Sequence, residues 1–254
     1  MAQESSQKET QREIALGDLI SKSWQLFSKN IKLILTAVLI VSIPVRLISS
    51  FFTSRRIVEF SGEITDFNFD FNFGELLGQT MLIAILSIVG TTLITLVIAW
   101  IVKTKALGGQ LDWQAALQKG LSRWLPAIGT SILMAIFLAV LCMLLIVPGV
   151  IYLVFWAFAI YVVILNDKSG MEALSYSKSI VKGKWLTVFL YCLVIGIMMA
   201  IVAGIINGII GAAGSGTVVI FLQGVVGDIT NAFFLIASVL LYLNLESLKL
   251  KRIS

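Results

Sequence analysis

From Leu125 to Leu165 the chain carries no Asp, Glu, Lys or Arg, and that run decides most of what the protein can fold into. It is about twice the roughly 20 helical residues that cross the hydrocarbon core of a bilayer. It reads as a membrane hairpin, with crossings over 125–147 and 150–166 and the turn at Pro148-Gly149. Proline lacks an amide hydrogen and glycine tolerates unusual dihedrals, so the pair can mark the reversal.

The rest of the chain agrees with this beginning. Hydrophobic residues make up 58% and charged residues 13%, against about 25% charged in soluble domains. Too little polar sequence remains for a separate water-soluble domain. The expected fold is all-α: a polar tail over 1–13, then one six-helix membrane domain over 14–254. The other four spans fall at about 31–52, 77–102, 185–211 and 225–245, the first containing Pro44.

Three amphipathic segments are expected to lie on the membrane surface. In the first, Leu16, Leu19, Ile20, Trp24 and Phe27 recur at three- and four-residue spacing. In the second, Asp112 caps a helix whose apolar face is Trp113, Leu117, Leu121 and Trp124; in the third, over 171–184, it is Leu174, Ile180 and Val181. The same stripes would also suit a soluble protein partner. The order of surface helix, span, short exit and span then occurs three times, from Ile14, Asp112 and Met171, which suggests an internal repeat.

Several chemistries are excluded or weak. The chain has no histidine, which removes the commonest general base and nitrogen metal ligand. Asp66, Asn68 and Asp70 imitate the start of a calcium loop, but Phe71 stands where that loop needs glycine and Leu77 where it needs glutamate. The alternation from Phe67 to Phe73 suits a short strand or an interfacial wedge instead. Cys142 and Cys192 lie in different apolar runs and read as packing residues. No catalytic group, metal site or cofactor is expected, and the chain is read as not an enzyme. The net charge of +5 belongs to residues flanking spans, so lipid orientation explains it better than nucleic acid.

Those flanking charges set the expected topology. With a cytoplasmic amino terminus, the basic residues of 22–32, 103–105, 119–123, 168–184 and 249–252 all fall inside, and Arg55 and Arg56 outside. Both termini are therefore expected in the cytoplasm. Trp24, Trp100, Trp113, Trp124 and Trp185 fall near the same interface.

Two groups of residues stand out within the spans. Gly196, Ala200, Gly204 and Gly208 form a four-residue stripe that admits a close neighbour, expected to be the face carrying Gly224 and Gly227. Asp228 is a charge inside a span, where an unpaired acid costs at least about 2.5–3.5 kcal/mol. Arg46 is its natural partner, at a similar expected depth. Together with Asn207, Gln223 and Asn231, the pair is either a set of interhelical fasteners or a polar site.

The segments DLISKSWQLFSKNIKLIL, LLIVPGVIYLVFWAFAIYVVIL and EALSYSKSIVKGKWLTVF resemble a bacterial membrane family typified by the membrane domain attached to some glycerophosphodiester phosphodiesterases. The resemblance implies a six-helix inner-membrane domain of largely unassigned function. The catalytic acids and histidines of the phosphodiesterase have no counterparts here, so no hydrolase activity is implied. The expected role is a non-enzymatic scaffold or accessory protein for envelope and lipid-associated machinery. The alternative is a small lipid or solute transporter using the Asp228 region.

Overall fold

The computed structural model describes residues 14–60, 73–110, 112–214 and 216–253. Among them every regular element is helical: Leu16–Lys29 (α1), Ile31–Phe60 (α2), Phe73–Ala106 (α3), Trp113–Ser122 (α4), Trp124–Leu144 (α5), Ile146–Phe155 (α6), Ala159–Leu165 (α7), Gly170–Val181 (α8), Trp185–Gly211 (α9) and Thr217–Ile253 (α10). Six stretches are long and apolar enough to cross a membrane, the fourth being α6 and α7 together. The alternation from Phe67 and the acids Asp66 and Asp70 lie outside the described residues.

The helices fall into three like units: α1 to α3, α4 to α7, and α8 to α10. Each begins with a short amphipathic helix that breaks into a long one through the same backbone geometry. Asn30 has φ −117° and ψ 22°, Arg123 φ −112° and ψ 6°, and Lys184 φ −133° and ψ 20°. The long helix then pairs with a returning one, as α2 with α3, α5 with α6, and α9 with α10. Every short helix lies on the returning helix of the unit before it: α4 on α3, α8 on α6 and α7, and, closing the ring, α1 on α10.

Burial follows this plan. The apolar stretches of the returning helices are 56%, 39% and 44% buried, while those of α2, α5 and α9 are only 28%, 11% and 6% buried. An inner trio, α3, α7 and α10, is thus surrounded by outer helices whose exposed leucines and isoleucines suit hydrocarbon. Between the inner helices sit Ile98, Ile101, Phe158, Val162, Ile236 and Tyr242, all fully buried. Phe158 and Tyr161 meet the Tyr242 ring edge-on at 5.6 and 6.2 Å.

The short helices turn their apolar faces to protein. Leu19 and Phe27 of α1 are buried against the core while Trp24 is 60% exposed. In α4 the buried edge is Ala116 and Gly120, not the expected row of larger side chains, and Leu121 is exposed. Gly120 explains the difference, because a Cβ there would stand 2.7 Å from a Val97 methyl, so α4 approaches α3 through its smallest residues. The expected face of α8 is buried as read, and Asp112 caps α4 by accepting from the Trp113 amide at 2.7 Å.

The hairpin differs from expectation at its turn. One residue, Leu145, leaves helical geometry, with φ −158° and ψ 128°. Pro148 and Gly149 lie in the first turn of α6, where proline's missing donor has no intrahelical acceptor to lose. Gly149 is needed for contact: a Cβ would overlap Cys142 Sγ and lie 3.3 Å from the Cys142 backbone. The fourth span also breaks at 156–158, between α6 and α7. Ser177 of α8, fully buried, accepts from the Phe158 amide at 3.3 Å and donates to the Phe155 carbonyl at 2.7 Å. A hydroxyl from another unit thus supplies what the interrupted helix lacks, as a buried break requires.

Candidate functional site

Two polar constellations interrupt the apolar bundle. The first is Arg46 with Asp228, joined as a two-pronged pair: Nε donates to Oδ2 at 2.7 Å and Nη2 lies 2.6 Å from Oδ1. Nη2 also donates to the Gly224 carbonyl. The planar guanidinium fork suits this arrangement. Gly224 is essential to it, since a Cβ at that position would overlap the guanidinium.

The place of this pair in the three-unit plan gives it meaning. Where α5 meets α3, the Trp124 indole donates to the Val89 carbonyl at 3.1 Å. Where α9 meets α6, Trp185 does the same to Ile151 at 3.0 Å. At the third seam, between α2 and α10, the corresponding residue is Ile31, which has no donor, and the Arg46–Asp228 pair ties that seam instead. The start of the first unit is held separately, Asn244 Oδ1 of α10 accepting from the Ile14 amide at 3.2 Å and the Tyr191 hydroxyl of α9 donating to the Ile14 carbonyl at 3.0 Å.

The other expected members divide. Gln223 Nε2 donates to the Asn207 carbonyl at 3.1 Å, joining α10 to α9, and the Asn207 side-chain oxygen is buried without a partner. Asn231 is exposed and makes no part of the pair. The small-residue stripe is not filled by its own chain: a Cβ added at Gly196 would stand 3.9 Å from the Phe234 ring, but at Gly204 and Gly208 it would meet open space, and Ala200 is exposed. Gly224 faces Arg46 rather than the stripe, and a Cβ added at Gly227 would meet nothing within 4 Å.

The second constellation ties together the ends of the inner helices. Lys103 of α3 donates to the Leu165 carbonyl that ends α7, at 2.9 Å. Asn166, next in the chain, donates to Glu246 Oε1 of α10 at 2.6 Å and accepts from the Tyr242 hydroxyl. The Tyr176 hydroxyl of α8 reaches the same carboxylate oxygen at 3.0 Å. Beside it, Asp167 at φ 57° receives Arg123 and, at 3.8 Å, Lys119. Sequence reasoning ended the last span at 245 and so missed Glu246. The signal was present, because Tyr242 and Glu246 are one helical turn apart.

Tyr176 gives a pH test of this collar. Burial first, and then the Glu246 carboxylate, push its hydroxyl from 10.0 up to about 12. Below pH 10 both folded and unfolded chains keep this proton; between 10 and 12 only the unfolded chain releases it. The contribution of Tyr176 to stability is therefore complete below pH 10 and is lost as pH rises through about 12. Tyrosinate absorbance, wild type minus Tyr176→Phe, should show one late-titrating phenol, and the variant's stability should fall less over that interval.

The acids at the centres of the two constellations stand apart. Asp228 and Glu246 lie on one helix, about 27 Å apart along its axis at about 1.5 Å per residue. Among the described residues no group of three or more Cys, Asp or Glu could hold a metal ion. The fold and these two collars define an all-α chain of three helical units, with six stretches able to span a bilayer. The chain belongs to the family described as a domain of unknown function, DUF7847, whose model matches residues 115–245. That match begins within α4 and ends in α10, so it covers the second and third units. No curated protein and no solved structure matches the chain.

Proposed function

We propose that the protein is a non-enzymatic, multi-pass scaffold or accessory of the bacterial inner membrane, serving envelope or lipid-associated machinery. The observation that carries this reading is the filling of the space between the inner helices mostly by buried apolar side chains, the buried hydroxyls of Tyr161, Ser238 and Tyr242 being turned on protein partners. Transport would need a hydrated, polar track at membrane depth. Arg46 and Asp228 are instead turned on each other, as fasteners are. Lipid contacts the outer helices, and a protein companion would dock on the solvent-facing sides of α1, α4 and α8. Kinship with the membrane domains of glycerophosphodiester phosphodiesterases belongs to the same proposal and carries no hydrolase activity with it.

Copurification in native lipid with mass spectrometry tests the role. A reproducible protein companion supports the scaffold. Stoichiometric lipid that disappears on Asp228→Asn would favour the transporter, for which the exposed edge of the pair, 28% and 17% of the two side chains, is the best argument.

Both termini are placed in the cytoplasm by this proposal, with α1, α4 and α8 at that membrane face. Three hairpins return the chain to the side from which it started, and the basic residues gather there. Tags at the two ends should be protected from external protease in intact cells and cut together once the membrane is opened. Cleavage of one tag alone in intact cells would end the proposed topology.

A further inference from the structure

The turn of the middle hairpin is chemically unlike the turns of the other two. Met143, Leu144, Leu145, Ile146 and Val147 are 92%, 73%, 65%, 74% and 68% exposed, with no polar side chain among them. The sequence joining α2 to α3 contains Glu63, Asp66 and Asp70, and that joining α9 to α10 is Ala-Ala-Gly-Ser-Gly. A bare apolar loop of five residues is costly in water.

Helix lengths account for the difference. The three outer helices start from the same junction, at Asn30, Arg123 and Lys184, but α5 has 21 residues against 30 in α2 and 27 in α9. It is nine and six residues shorter, or about 14 and 9 Å at 1.5 Å per residue. Its own rise of about 31 Å matches a hydrocarbon core of about 30 Å and leaves nothing to reach through the headgroups. Part of the turn's backbone needs no water, the Ile146 and Val147 amides being the exceptions. The Leu145 amide donates to the Leu141 carbonyl at 2.9 Å, the Gly149 amide donates to the Leu145 carbonyl at 3.4 Å, and Pro148 has no amide hydrogen to satisfy.

We propose that the α5–α6 turn ends inside the far leaflet, with acyl chains as its partner, while the α9–α10 turn emerges into water. The protein then carries a recess in its far surface above Leu145, beside the longer α9–α10 hairpin. This rests on the membrane reading above, and the test separates the two.

In a Cys142→Ala, Cys192→Ala background, single cysteines replace Leu145, Met143, Ala213 of the α9–α10 turn, and Ile201 in mid-α9. The proteins are reconstituted in phosphatidylcholine–phosphatidylglycerol vesicles, opened by freeze–thaw, and treated with a membrane-impermeant maleimide. Ala213→Cys should react, Ile201→Cys should not, and Leu145→Cys and Met143→Cys should react at least tenfold more slowly than Ala213→Cys. A nitroxide at 145 should be relaxed by oxygen in preference to a polar nickel chelate. Reaction at 145 and 143 at the Ala213 rate, with Ile201 silent, overturns the inference and leaves the membrane reading standing. Reaction at Ile201 overturns the membrane reading itself. Silence at Ala213 abolishes the contrast between the turns, and a nitroxide shielded from both relaxants means protein covers the tip; either result defeats the inference.

Discussion

Asp228→Asn is expected to lower the unfolding free energy by about 3 kcal/mol, the low end of what breaking a buried ion pair costs. The side chains are 28% and 17% exposed, so the Arg46 charge recovers some solvation, which is why the low end applies. Gly224→Ala should lose a similar amount without touching either charge, because the added methyl group displaces the guanidinium from its carboxylate. Arg46→Met with Asp228→Leu should recover most of the loss, since a packed apolar pair replaces both partners and strands neither. Thermal unfolding in nanodiscs measures all three. A wild-type melting temperature for Asp228→Asn would mean that the seam between α2 and α10 is held by something else. Loss of stability in both single-site variants, with recovery in the double variant, identifies a fastener.

Ser177→Ala is expected to be nearly as severe although it removes one oxygen. The Phe155 carbonyl and Phe158 amide would lose their partner in a dry site, and each stranded group costs about 1–3 kcal/mol. The loss should therefore fall between about 2 and 6 kcal/mol. Ser177→Thr keeps the hydroxyl and separates hydrogen bonding from polarity, although its extra methyl must fit a fully buried position. Amide exchange provides the sharper reading: the Phe158 amide should lose protection in Ser177→Ala well before the middle of α9 or α10 does. Equal protection in wild type and variant would show that the break is closed by the backbone alone.

Much of this architecture was legible because membrane chemistry writes itself in composition. The six apolar stretches follow from charge-free length, and the Arg46–Asp228 pair follows from the cost of leaving either group alone in hydrocarbon. The three amphipathic segments follow from helical spacing, as does their recurrence as the opening of three units. What escaped was decided by tertiary contact. Nothing in Phe155-Trp156-Ala157-Phe158 announces a break, because the hydroxyl that completes it arrives from Ser177 in another helix. Pro148 and Gly149 looked like a turn because both residues favour turns, yet Leu145 reverses the chain and Gly149 serves the close approach to Cys142. The glycines of α9 suggested a neighbour, but spacing alone does not say which chain supplies it. The Glu246 collar was legible only in part: Tyr242 lies one turn away on the same helix, but Asn166 and Tyr176 come from the end of α7 and from α8, brought there by the ring.

Ring closure also fixes an order of events during synthesis. The first described helix to leave the ribosome, α1, has its seat on the last one, α10, so Leu19 and Phe27 stay uncovered until nearly the whole chain has been made. The amino-terminal unit then waits as an unfinished surface, available to chaperones, while the second and third units are made. A product that stops before α10 has nowhere to hide that surface.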